Sequence, residues 1–339
     1  MQINSVESQP IKKKTHHKLK ESQKIKQGSE IISCKQFSWL PDNLIESQDL
    51  WDDWQETLKK QLENANLKDK NLASLVFIDF NDTKGRIDFL ENFLNQNPES
   101  LLANWEMFQI CEYNKSSRSH CDKDMIENAI KNHPDNGALL FQVASLKYQS
   151  GDISGATYAF QRLVETNNFD IYYGHYAKFY LTTMLNVGYE NNRQTKMQAF
   201  AFFSSFPIPN FSPLLDYCRE QAVSNLDTAQ LCLDIGKNMV SNSKTYISSQ
   251  IGFALQSTVY KITENKEAQA EIEEAKQQSD FQKNKILYGK AQRLKDYDDL
   301  LFDLYYNSLI LYGERIANVH LIEEAIRLSK NPDYNPCPE

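Results

Sequence analysis

Leu90 to Pro98 reads LENFLNQNP, Ile126 to Pro134 reads IENAIKNHP and Phe160 to Asn168 reads FQRLVETNN, so three near-copies begin 36 and 34 residues apart. A period of that size belongs to stacked two-helix units, because one helical hairpin cannot bury its apolar side alone and must lean on the next. Within each block the apolar residues recur at i, i+3 and i+4, as in Leu90, Phe93 and Leu94 or Ile126, Ala129 and Ile130, which places them on one helical face. Pro98 and Pro134 then stop the helix, since proline has no N–H to donate and its ring clashes with the preceding turn. Upstream of the blocks lie Leu72 to Phe80, Trp105 to Tyr113 and Leu140 to Tyr148, which the same periodicity predicts as the first helix of each unit. LVFIDF at Leu75 to Phe80 has the propensity of a strand, but its place in the repeat argues for helix.

The unit from Gly137 to Asn168 is the most regular. Leu140, Val143 and Ala144 are its first-helix residues, Gly151 and Asp152 its turn, Ala156 the small residue at the helix crossing, and Phe160 and Leu163 its second-helix residues. In this spacing of large, small and turn residues it resembles a tetratricopeptide repeat. It departs from the family pattern at Asn168, where a proline is usual, and at Lys147, where an aromatic is usual and Tyr148 stands one place late. The preceding unit, about Leu102 to Pro134, has a longer polar turn, NKSSRSHC, and a fourth copy is read from Ile171 to Pro207 through AFAFFSSFP. The resemblance covers about residues 66–207 and implies an all-α, TPR-like α-solenoid of helical hairpins. It also implies a concave face lined by positions 2, 5, 9, 12 and 13 of each first helix. Those positions give a candidate protein-binding groove of Glu106, Ile110, Tyr113 and Asn114 from one unit, Phe141, Ser145, Tyr148 and Gln149 from the next, and Tyr172 and His175 from the fourth. Family members that clamp a terminal carboxylate use lysine and asparagine at positions 5 and 9; neither regular unit has them, so that ligand is not expected.

Beyond Phe211 the 34-residue rhythm stops while helical periodicity continues. Ala229, Cys232, Leu233, Gly236 and Val240 form one stripe after a capping-box-like Ser224 and Asp227, and Ile247, Ile251, Ala254, Leu255, Thr258, Val259 and Ile262 form a second. Glu267 to Glu274 is polar throughout, and Leu287, Leu294, Leu301, Tyr297, Leu304 and Leu311 describe one long helix before a last one at about His320 to Ser329. The expected division is a disordered basic tail (1–35), an N-terminal helical segment (36–65), TPR-like repeats (66–210), an irregular helical C-terminal domain (211–330) that packs on the end of the repeats, and a C-terminal tail (331–339).

Charge is unequally shared. Residues 1–30 hold seven lysines against three glutamates, a net of +4, while the remaining chain carries −12. Few large apolar residues accompany those lysines, which predicts disorder. The alternative function attaches to this tail: binding of an anionic surface or nucleic acid by counterion release. No aromatic residue interleaves the lysines, so base stacking is not supported and nucleic acid is not expected.

Chemistry is hard to find. There is no glycine-rich phosphate loop, since Gly236-Lys237 and Gly289-Lys290 lack the upstream glycine, and no GxSxG, HExxH or HRD set. Asp296, Asp298, Asp299 and Asp303 crowd together, but such runs are solvated faces far more often than sites. Six cysteines without a CxxC pair read as reduced thiols, and Cys111, His120, Cys121 and His133 fit no zinc spacing. The longest apolar run is about five residues, Ala199 to Phe203, against the roughly 20 a membrane helix requires, and no secretory leader is read. The sequence therefore predicts a cytoplasmic, non-enzymatic interaction scaffold or adaptor with a protein partner, no cofactor and no metal; a helical enzyme with an unrecognised site is the second alternative.

Overall fold

A computed structural model describes residues 30–34, 56–61, 64, 70–78, 81–121, 123–204 and 208–337. The described residues are helical without a strand. Their one β contact is an isolated parallel bridge between Phe169 and Ser243. After a short turn of helix at Lys70–Ala73 and a 3-10 turn at Ser74–Phe77 come α1 (Thr83–Gln96), α2 (Leu101–Tyr113), α3 (Lys123–Asn132), α4 (Gly137–Gln149), α5 (Ile153–Val164), α6 (Tyr173–Asn186) and α7 (Arg193–Ser204). The second half continues as α8 (Ser212–Gln221), α9 (Leu226–Asn242), α10 (Tyr246–Ile262), α11 (Lys266–Gln277), α12 (Asp280–Lys295), α13 (Asp299–Tyr312) and α14 (Glu314–Ser329). The three repeated blocks fall in α1, α3 and α5, and Leu75 belongs to a 3-10 turn, neither strand nor α-helix.

Two of those helices start by the same device. Asp82 accepts from the Gly85 N–H at 2.9 Å and Asp152 from the Gly155 N–H at 2.8 Å, which satisfies one of the donors a helix start leaves open. Each aspartate stands eight residues before its block's first apolar residue, Leu90 or Phe160. A Cβ at residue 85 or 155 would lie 2.2 or 2.1 Å from the capping carboxylate as it is placed, so a side chain there would make the aspartate shift. At the equivalent place in the middle unit stands Arg118. There the polar turn is closed covalently instead, by a Cys111–Cys121 disulfide with its Cα atoms 6.3 Å apart.

α2 and α4 are buried nearly all round, with ten buried residues each, against six of α6 and four of α5. The amphipathic α5 thus packs against the enclosed α4. The core is a single hydrophobic cluster running from Ile31 to Ile326, so the C-terminal helices share it with the repeats. Their joint is Phe169: its N–H donates to Asn242 O and its carbonyl accepts from the Lys244 N–H, both at 3.1 Å. At a second joint Gly174 lets α6 meet α13; a Cβ there would lie 2.4 Å from Leu309 O.

Several expectations change. The long helix read through Leu287 and Leu311 is two, α12 and α13, because Asp298 turns its carboxylate onto the Leu300 and Leu301 N–H groups (2.8 and 3.0 Å) and caps a new start. The cap of α9 is Asn225, not Ser224, accepting from the Asp227 and Thr228 N–H groups. The polar segment Glu267 to Glu274 is the solvated helix α11, with no buried residue.

The cysteines depart furthest from expectation. All six are paired: Cys34–Cys337, Cys111–Cys121 and Cys218–Cys232, with Cα separations of 5.2, 6.3 and 6.0 Å, so the reduced-thiol reading is corrected. Residues 30–34 are likewise docked rather than part of a loose tail: Ile31 and Cys34 are buried, and the Ile32 N–H donates to Ser329 Oγ at 3.0 Å. Most of the basic tail, residues 1–29, lies outside the described residues.

Candidate functional site

The expected groove residues lie on α2, α4 and α6, with Asn114 and Tyr172 just outside the helix ends, and they meet different surroundings. Phe141 is fully buried with its ring 5.1 Å from Phe211 and 6.3 Å from Phe169. One turn on, Ser145 is also fully buried and its Oγ has no hydrogen-bond partner among the described residues. Tyr148 stacks edge-on against Tyr217 at 5.7 Å and its hydroxyl donates to Glu220 at 2.8 Å; burial and that carboxylate push its pKa up to about 12. Helix α8 therefore fills the face that α4 presents, and Gln149 ends α4 beside it, half-buried.

Around α2 the face stays open. Glu106, Gln109, Ile110, Tyr113 and Asn114 line a recess of about 240 Å³ with Thr83 and Arg86. Tyr113 is 54% exposed and its hydroxyl donates to Ile208 O at 2.6 Å. Asn114 caps α2 and accepts from Ser116 through Oδ1. Under the recess lies a buried polar centre. Glu106 accepts from the Tyr176 hydroxyl through Oε1 and from Arg86 Nη2 at 3.4 Å through Oε2, and Arg86 also reaches Leu75 O. Burial raises the Glu106 pKa to about 7, partly offset by the Tyr176 hydrogen bond and the Arg86 charge. Gln109, one turn along, is buried with its Oε1 unpartnered among the described residues.

The raised pKa fixes a sign. The folded chain holds a proton that an unfolded Glu releases near its ordinary 4.5, so this group's stabilisation is complete below about pH 4.5 and is lost as pH rises through about 7. The difference is about 3 kcal/mol at 1.36 kcal/mol per pKa unit. Glu106→Gln keeps an acceptor for Tyr176 without the charge. Urea midpoints of wild type and variant, taken from pH 4 to 8, should show wild type losing ground relative to the variant over that window. A pH-independent difference refutes the assignment. Glu314, also raised by burial, is present in both proteins and cancels.

Tyr172 and His175 form a third group. Tyr172 has φ 63°, a left-handed conformation that a bulky residue adopts only when its surroundings hold it there. Its N–H donates to Asp170 Oδ1 at 2.8 Å and its ring packs edge-on against Trp105 at 4.9 Å. Burial alone raises the Asp170 pKa, but His175 and Lys244 outweigh it and hold the carboxyl below its usual range. Lys244 Nζ is 2.7 Å away and His175 Nε2 3.5 Å. This group orders the loop between α5 and α6, whose Phe169 meets the C-terminal helices.

Neither weighed alternative gathers a site. Asp299 and Asp303 pair with Arg193 and Lys196 at 2.7 and 2.6 Å and dock α7 on α13, while Asp296 holds Lys295. Cys111 and Cys121 are joined to each other, and His120 meets Glu91 at 2.6 Å. Among the described residues no group of three or more His, Cys, Asp or Glu is placed to hold a metal, and no helix is long and apolar enough to cross a membrane.

A further cavity, which sequence reading did not anticipate, is a trough of about 660 Å³ on the opposite side of α4. It runs over α4 between α3 and α5. Ile126, Ile130, Leu140, Val143, Leu146 and Ala159 supply its apolar lining, with Glu127, Lys131, Lys147, Asp152, Tyr158 and Arg162 around them. The signal was present in α3 and α5, whose second-helix residues Ile126, Ile130 and Ala159 belong to the repeated blocks or their approach. No family model, curated protein or solved structure matches this chain.

Proposed function

We propose that this chain is a non-enzymatic binding scaffold, built on TPR-like hairpins, that holds a protein partner at the open end of its inner face. The observation that carries the reading is the recess beside α2: four of the ten groove residues, Glu106, Ile110, Tyr113 and Asn114, line one cavity of about 240 Å³. That volume accepts one large side chain of a partner, and interface energy concentrates in such anchors. The α4 end of the groove is occupied by α8, so the partner's contact narrows to α2 and the start of α1.

The same reading places the protein in an oxidising compartment rather than the cytoplasm. Three disulfides that use every cysteine of the chain are the mark of chains that fold outside the reducing cytosol.

The test is retention of a discrete partner from native extract by immobilised full-length protein. Tyr113→Ala with Ile110→Ala should lower retention at least about tenfold, the effect of removing a central anchor contact. Tyr148→Ala is the contrast: it should weaken folding through Tyr217 and Glu220 and leave the recess itself unchanged. Equal retention by wild type and the double variant removes the recess from the interface. Retention only at low salt moves the function to the basic tail.

A further inference from the structure

We propose that the trough between α3 and α5 is a binding site for a free long-chain carboxylate, a fatty-acid-like amphiphile; this uses a different face from the partner recess and stands independently of it. α3 and α5 each join α4 through short connections, residues 133–136 and 150–152, so both run opposite to α4 and parallel to each other. Lys131 and Arg162 stand in the last turns of α3 and α5 and consequently share one end of the trough. Cations are favourable in last turns, which accounts for either alone; here both also line the same cavity. Neither side chain makes an ion pair or hydrogen bond among the described residues, in a chain whose formal net charge is −8. The far end is neutralised, since Lys147 meets Asp152 at 3.2 Å. Glu127, one turn before Lys131 in α3, also lines the trough but is itself engaged, so an occupant finds two cations without an ion pair among the described residues at one end only.

Between the ends the floor is Leu140, Val143 and Leu146 of α4, themselves buried, and the accessible apolar surface over it is the half-buried Ile126 and Ile130 of α3 with the exposed Tyr158 of α5. From Leu140 to Gln149, where α4 ends, the helix rises about 14 Å at 1.5 Å per residue. Backbone groups of these helices are already bonded within them, so an extended peptide laid along the floor would leave its own N–H and C=O groups unpaired on that side. A hydrocarbon chain has no such groups, and each methylene taken out of water contributes to binding. The cavity volume of about 660 Å³ lies in the range of small-molecule sites, roughly 300–1,000 Å³. A carboxylate held by a lysine and an arginine with its chain over Val143 matches the trough in charge, polarity and length.

The experiment is calorimetric titration of the full, disulfide-bonded protein with dodecanoate, dodecyl alcohol and dodecylamine. Saturable one-to-one binding of dodecanoate is expected, at least about tenfold tighter than the alcohol, the scale of a charge-assisted hydrogen bond. Lys131→Glu with Arg162→Glu should invert the preference, losing dodecanoate and gaining dodecylamine. A urea midpoint and one-to-one stoichiometry unchanged from wild type show that the inversion reports the site rather than apolar surface exposed by misfolding. The proposal is overturned if dodecanoate does not saturate, if alcohol and acid bind alike, or if the reversed variant keeps the wild-type order, as it would were the N-terminal lysines the binders. It is also overturned if an acidic amphipathic peptide binds the trough while dodecanoate does not.

Discussion

Replacing Cys34 and Cys337 together by alanine should lower stability by about 5 kcal/mol and shift the urea midpoint more than removal of either other bridge. The chain-entropy relation for cross-links gives about 3 kcal/mol for loops of fifteen residues and about 5 or more for loops beyond a hundred. Sequence separations here are 10 for Cys111–Cys121, 14 for Cys218–Cys232 and 303 for Cys34–Cys337. The bridge also holds Ile31, which is buried in the common core, and the Ile32 contact to Ser329. Wild type under a strong reductant should fall at least as far as the double variant. Equal midpoints for wild type and the Cys34/Cys337 variant would mean that the terminal segments dock without help from the bridge.

The second large effect is expected at Gly174. A Cβ there meets a backbone oxygen, Leu309 O at 2.4 Å, with Ile310 Cα and O also within 3.3 Å. Backbone cannot swing aside as a lysine tip does, so Gly174→Val must separate α6 from α13, at a cost of about 3 kcal/mol or more, the upper end of overpacking penalties. Gly289 supplies the control. It lies inside α12 with nothing within 4 Å of an added Cβ, and Gly289→Ala should stabilise by about 0.5–1 kcal/mol through helix propensity. Denaturation curves of both variants decide the matter. If Gly174→Val costs no more than a surface change, the two halves of the chain do not meet at that joint in solution.

Much of the helical order was written locally. Leu90, Phe93 and Leu94 share a face, and α1, α3 and α5 appear where such faces recur. The caps Asp82 and Asp152, each followed by glycine at the fourth place, were equally visible and would have fixed two helix starts. What escaped reading depends on residues far apart in the chain. Leu287, Leu294 and Leu301 keep a seven-residue spacing straight through the break at Asp298, because α12 and α13 turn the same kind of face to one core; periodicity alone cannot register the turn. Phe141 and Tyr148 fit an inner groove by position, but Phe211, Tyr217 and Glu220 on or beside α8 claim them, and nothing near Phe141 announces that. Cysteine pairing is the extreme case. Cys34 and Cys337 have no local pattern at all, and only the return of the chain to α14 brings them together.

That return alters how the molecule would carry a load. The two described ends of the chain meet at one sulfur–sulfur bond, so everything from residue 35 to residue 336 lies within a covalent ring. Tension applied through residues outside the ring reaches the bridge before it reaches any helix, and no hairpin need peel while the bond stands. Mechanically the array is a closed loop, whose helices feel a pull only after a reductant has opened it.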